Sequence, residues 1–136
     1  MIRRPPRSTQ GVSSAASDVY KRQAVTLQKI GKNLQALKLF NGALKIEPRN
    51  IDGLLGKGTI LHAQKKYSDA ILCYDSILEI NPKFPVALAY KGMSLGEQGK
   101  IKDALKFFKK ALAIDKNYEL AQISKKKALD LIKSKK

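Results

Sequence analysis

A chain of 136 residues with 43% apolar content is long enough for one folded domain and too apolar to remain a disordered polymer. No stretch approaches the roughly 18 apolar residues that span a bilayer, and a single cysteine, Cys73, cannot close an internal disulfide, so a reducing cytosol is the expected compartment. The net charge of +16, from 27 basic and 11 acidic residues, points to a lysine-rich solvated face or to an acidic partner: a protein surface, nucleic acid or anionic lipid.

Residues 1–23 differ from everything after them, holding Pro5, Pro6, a serine cluster and four of the five arginines. The paired arginines lack the apolar run of an export signal. This segment resembles a recurrent conceptual translation of sequencing-adapter DNA, so it is expected to be a non-native or disordered extension. The other reading is a basic arm using Arg3, Arg4 and Arg7 on nucleic acid or membrane. Where helix crosses the join at Ala24, it is expected over Ala15 to Ile30, with Ser17 and Asp18 as an N-cap.

Beyond the join, helical patterns alternate with turn signals. Gly31-Lys32-Asn33 turns the chain into a helix from Leu34 to Ile46, which Glu47-Pro48-Arg49-Asn50 stops. Asp52 caps or opens a helix to Gln64, Lys65-Lys66-Tyr67 makes the next turn, and Ser68, a candidate N-cap, starts a helix ending at Ile80 before Asn81-Pro82. Pro85 suits a first helical turn, where its missing N–H has no partner to lose, and that helix runs to Gln98. Gly99-Lys100 leads into Ile101 to Ile114, and a last helix covers residues 119–134.

These helices share a register. Ala36, Ala70 and Ala104 lie 34 residues apart, each followed four residues later by Phe40, Tyr74 or Phe108, and three further on by Ala43, Ile77 or Ala111. Pro48 and Pro82 follow at fixed offset, and Ala24, Gly58 and Gly92 align upstream. Residues at i, i+4 and i+7 share a helix stripe, so each copy carries a small-aromatic-small face that a neighbouring helix can approach closely. A 34-residue helix-turn-helix period with these residues resembles the tetratricopeptide repeat. The resemblance covers residues 24–118 and departs at Ile77, at Lys116 where proline is usual, and at Leu54, Leu61, Leu88 and Leu95, which replace first-helix aromatics. It implies an all-α fold, an antiparallel helix-hairpin solenoid of three repeats (24–50 with a truncated first helix, 51–84 and 85–118). Residues 119–136 form a capping helix and basic tail, because Gln122 and Lys126 place polar groups where earlier copies are small or apolar.

Three features invite a chemical reading and do not support one. GLLGKGT, from Gly53 to Thr59, puts its lysine before the second glycine and within a helix, unlike a phosphate-binding loop. His62, the sole histidine, has no Asp, Glu or Cys near it in sequence in a catalytic or metal-binding arrangement. Cys73 precedes Tyr74 on a second helix and reads as a small apolar side chain. No enzymatic activity, metal or cofactor is expected.

In the family resembled, first helices line a concave face on which peptides or helices lie. Carrying the register across assigns Asp52, Leu55, Thr59 and His62 from copy two, and Val86, Ala89, Tyr90, Met93 and Glu97 from copy three, to that groove. The expected function is a non-catalytic protein-interaction scaffold, either whole or a fragment of a longer solenoid. Members that bind the C-terminal tails of heat-shock chaperones use a Lys, Asn, Asn, Lys, Arg clamp; the matching positions here are Lys21, Val25, Gly56, Val86 and Tyr90, so only Lys21 agrees. Binding of such tails is therefore not expected. The alternative is a basic scaffold whose C-terminal lysines, from Lys100 to Lys136, associate with nucleic acid or anionic membrane; without interleaved exposed aromatics these would give salt-sensitive, weakly selective attraction.

Overall fold

The computed structural model describes the backbone of residues 6–134 and the side chains of residues 15–134. Arg3, Arg4, Lys135 and Lys136, and the side chain of Arg7, lie outside the described residues. Seven helices and no strand make up the described part: α1 (Pro6–Lys29), α2 (Asn33–Ile46), α3 (Ile51–Ala63), α4 (Tyr67–Ile80), α5 (Pro85–Glu97), α6 (Ile101–Ile114) and α7 (Glu119–Ser134). They pack as antiparallel hairpins α1/α2, α3/α4 and α5/α6, with α7 covering α6. None of the described helices is long and apolar enough to cross a membrane.

The 34-residue stripe forms the core. Ala36, Ala70, Ala104, Phe40, Tyr74, Phe108, Ala43, Ile77 and Ala111 are all buried, as is Ala24 on the facing helix. Each ring lies against a position that has no room for a side chain. A Cβ added to Gly58 would stand 2.5 Å from the Tyr74 ring, and one added to Gly92 would stand 2.6 Å from the Phe108 ring. Between copies the contact recurs: a Cβ on Gly56 would meet the Phe40 ring at 2.2 Å, while Tyr74 stacks on Tyr90 of the next copy with centroids 5.9 Å apart. Ile77, the departure from alanine, is fully buried within the middle cluster beside Leu54 and Leu61.

Helix ends follow local chemistry, with three differences from expectation. The cap of α3 is Asn50, whose side-chain oxygen accepts from the Gly53 N–H at 2.9 Å; Asp52 lies inside the first turn. Asparagine wins because its carbonyl reaches the free N–H three residues on. Helix α4 starts at Tyr67, so Ser68 is already helical and its hydroxyl accepts from Gln98 of the next copy at 3.1 Å. Helix α1 begins at Pro6 and runs unbroken through Ala24, so neither a start at Ala15 nor a cap at Ser17 and Asp18 holds, and residues 6–23 are helical where disorder was one expectation. Ser17 is buried inside α1, in the register of Ile51 and Pro85, and Asp18 pairs with Lys21 one turn on at 3.1 Å. Around Tyr20, whose ring lies over Gly42, packing of α1 against α2 supports the helix.

Turns after the first helices require a left-handed residue. Gly31 and Gly99 supply it with φ of +86° and +85°, and Lys65, at the same register, is forced to φ +66°. A β-carbon in that region costs about 1–2 kcal/mol, so Lys65→Gly is expected to raise stability in urea denaturation by about 0.5–1 kcal/mol after glycine's extra chain entropy is subtracted. Glycines on the helices separate by sign. Gly58→Ala and Gly56→Ala force a buried ring to move, an overpacking cost of about 1–3 kcal/mol that exceeds the helix-propensity gain of about 1 kcal/mol, so both lower the melting temperature. Gly96→Ala places its methyl 3.7 Å from Ala104 Cβ, an ordinary contact, and is expected to raise it.

Candidate functional site

First helices lie side by side, α1 touching α3, α3 touching α5 and α5 touching α7. At the N-terminal end, α1 and α3 enclose an open groove of about 620 Å³ lined by Lys21, Val25, Gln28, Lys29, Asp52, Leu55 and Thr59, with Phe40 and Gly56 at its floor. The missing side chain at Gly56 lets the buried Phe40 ring pack directly beneath it. Gln28 donates to the Thr59 hydroxyl at 2.9 Å, and Thr59 donates to the Gly56 carbonyl at 2.9 Å, which pins the α1–α3 spacing.

Further along, the fold brings together residues that are distant in sequence. The His62 Nδ1 lies 2.8 Å from the Ser94 hydroxyl, its ring meets Tyr67 edge-on at 5.1 Å, and the Tyr67 hydroxyl approaches the Glu97 carboxylate at 3.5 Å. Burial lowers the His62 pKa below its ordinary 6.5, partly offset by the Glu97 carboxylate, so a neutral ring is favoured. Ser94 is fully buried, so this His-Ser pair offers no exposed hydroxyl for nucleophilic chemistry and reads as a polar tie between copies two and three. Burial pushes the Cys73 thiol and the Tyr74 phenol upward, which suits packing groups and not reactive ones. Among the described residues no three His, Cys, Asp or Glu side chains gather as a metal site.

Met93 and Glu97 line a recess of about 150 Å³ shared with α6 and α7, where Ser124, Lys127 and Leu131 complete the lining. Val86 and Tyr90 are half-buried on α5, Tyr90 stacked on Tyr74. Ala89 is the exception in the sequence-derived set: it is fully buried in a cluster with Leu88, Ala111 and Ala121 and lends no surface, because its methyl group is too short to reach past its neighbours. Leu55, one register step earlier, is longer and lines the groove. Sequence reasoning missed Thr26, Gln28 and Lys29 on α1, and Ser124, Lys127 and Leu131 on α7. The same step of 34 would have found several: Lys127 is in register with Met93, and Leu131 with Glu97.

Sequence models of the tetratricopeptide repeat match residues 51–84 and 85–118, half of the chain, and the protein belongs to the tetratricopeptide repeat family. Its fold is similar to the first such domain of Spaghetti (RPAP3) bound to the HSP90 peptide SRMEEVD (TM-score 0.82, 18% identity, covering 88% of this chain and 94% of that one). It is likewise similar to the Arabidopsis OM64 TPR domain (TM-score 0.83, 18% identity, 87% and 98% covered). A third is YrrB, described as a TPR protein with an unusual peptide-binding site (TM-score 0.77, 20% identity, 81% and 57% covered). No curated protein sequence matches the chain.

The His62 arrangement has a pH consequence. Because the folded ring holds its proton less tightly than the unfolded one, the unfolded state gains protons first as pH falls through 6.5, and stability drops on that side. Titration of the His62 ring by NMR is expected to give a value below 6.5, and the stability lost from pH 7 to 5.5 should shrink in His62→Gln. A titration midpoint above 6.5 contradicts the burial argument.

Proposed function

We propose that the protein is a non-catalytic interaction module that holds a peptide or helix of another protein along the trough of α1, α3, α5 and α7. The observation that carries this reading is the open groove between α1 and α3, where Val25 and Leu55 offer apolar contact beside the polar Asp52 and Thr59. Such a mixed lining suits a ligand that buries apolar side chains while keeping its backbone polar groups satisfied. Met93, with its adaptable thioether, extends the apolar track toward α7. Lys21 and Arg22 belong to the adapter-like segment and carry no weight in this reading. The peptide bound to the RPAP3 domain and the peptide-binding site of YrrB support the class and not the ligand.

The chaperone-tail peptide is a negative control for the same groove. The positions that would clamp its carboxylates hold Val25, Gly56, Val86 and Tyr90, none of which donates from its side chain in the way lysine or asparagine does, and Lys21 is already paired with Asp18. SRMEEVD is therefore expected to show no saturable binding by calorimetry. Peptides selected against the whole chain by display should bind it at least tenfold less tightly after Leu55→Glu or Met93→Glu, with helical content by circular dichroism unchanged. Retained affinity in both variants would place the ligand elsewhere and remove this proposal.

A further inference from the structure

A second helix seats against its own first helix and reaches the preceding hairpin through side chains: α6 packs on α5, and its Phe107 and Leu112 share apolar clusters with Ile71 and Leu78 of α4. There Lys91 of α5 is ion-paired with Asp75 of α4 and sits 4.6 Å over the Phe107 ring of α6, while Gly92 admits the Phe108 ring. One step of the register further, the corresponding residues are Lys109 for Asp75, Lys125 for Lys91 and Lys126 for Gly92. An attractive pair has become two like charges, and a side-chain-free position has become a long cation. The next such surface, between α6 and α7, retains an apolar floor in Leu112 and Leu129 and is an open recess of about 360 Å³ edged by Lys116, Gln122, Lys125 and Lys126. Neither of the two ion pairs among the described residues involves these lysines.

We propose that this end face docks an acidic amphipathic helix of a partner protein, lying in the place that a further second helix would fill. It corresponds in register to the surface on which α6 sits, Leu112 standing for Leu78 and Leu129 for Leu95; Leu78 and Leu95 both pack with residues of α6. The floor asks for leucine-sized side chains at helical spacing, and the rim asks for carboxylates at three lysines. Lys126 would collide with an aromatic placed as Phe108 is against Gly92, so the occupant differs from a helix of the repeat type. A second copy of this chain is a poor occupant. Among the described helices only α4 carries more acid than base, it exposes a single large apolar residue, Leu72, beside Asp69 and Glu79, and two chains of +16 repel. This surface is separate from the inner trough, so the two ligands need not compete.

The probe is a blocked, fluorescently labelled peptide of about 16 residues, with leucines at i, i+3, i+4 and i+7 spacing and glutamates on the remaining face. Anisotropy with the full chain should show saturable binding that weakens at least tenfold in a Lys116→Glu, Lys125→Glu, Lys126→Glu variant. A Lys38→Glu, Lys45→Glu, Lys83→Glu variant, which loses the same net charge from exposed sites elsewhere, should stay within about twofold of the parent, since screening limits distant charges. Scrambling the leucines should abolish binding. Equal losses in the two triple variants, no binding of the probe, or displacement by duplex RNA or phosphatidylglycerol vesicles that bind through the same lysines would each overturn the proposal. Concentration-dependent self-association of the chain, lost in the end-face variant, would overturn it in favour of a second copy.

Discussion

An aromatic ring pressed against a missing side chain is the contact on which this structure rests. Phe40, Tyr74 and Phe108 each lie over a small residue of their own hairpin, Ala24, Gly58 or Gly92, and each reaches toward position 56, 90 or 124 of the next. The ring is buried on both sides, and a buried aromatic of that size supplies about 1.5–3 kcal/mol of apolar transfer free energy. Its effect on shape is larger than that figure suggests. A glycine lets two helix backbones approach to within a ring's thickness, so the position of the small residue sets how closely each hairpin closes and how the next is seated. The groove between α1 and α3 follows from that closure, because Gly56 on its lining packs directly on the buried Phe40 ring.

Variation around this contact shows which positions tolerate change. Ile77 takes the place of an alanine in the middle copy and is absorbed in full, bordered by Leu54, Leu61 and Ala87, so extra volume is accommodated where the neighbours are aliphatic. Lys116 replaces a proline after α6 without loss of the stop, since Asp115 accepts from the Asn117 N–H at 3.1 Å just as Asn81 accepts from Lys83 at 3.2 Å. A short polar side chain at the helix end does the work that proline does after α2 and α4.

The repeat register made the fold legible because a 34-residue recurrence of a small-aromatic-small stripe leaves few other packings. All seven helices were readable beforehand, and most boundaries fell within a residue or two. What sequence missed has local causes. Asn50 and Asp52 both qualify as caps, and only the path of the chain decides which side chain reaches a free N–H. The start of α1 differs from expectation because residues 6–23 lack the stripe, while the Tyr20 ring docks on Gly42 of α2. Of the nine residues that the register assigns to a groove, eight are half-buried or exposed and Ala89 is buried, because a residue can share a helix face with its neighbours and be too short to reach the surface. The tie from His62 to Ser94 was invisible because it joins residues 32 apart on neighbouring hairpins.

Each ring touches its own hairpin and the following one, and none spans further. Cohesion is consequently passed along the solenoid link by link, like a row of shingles in which every tile is held by the one overlapping it. The middle hairpin, gripped from both flanks, would be the last to come apart, and fraying would enter from the ends. Interfaces between hairpins are therefore as decisive for persistence as the hairpins themselves. A ligand lying across several first helices would bolt the shingles together, coupling occupancy of the trough to the rigidity of the whole array.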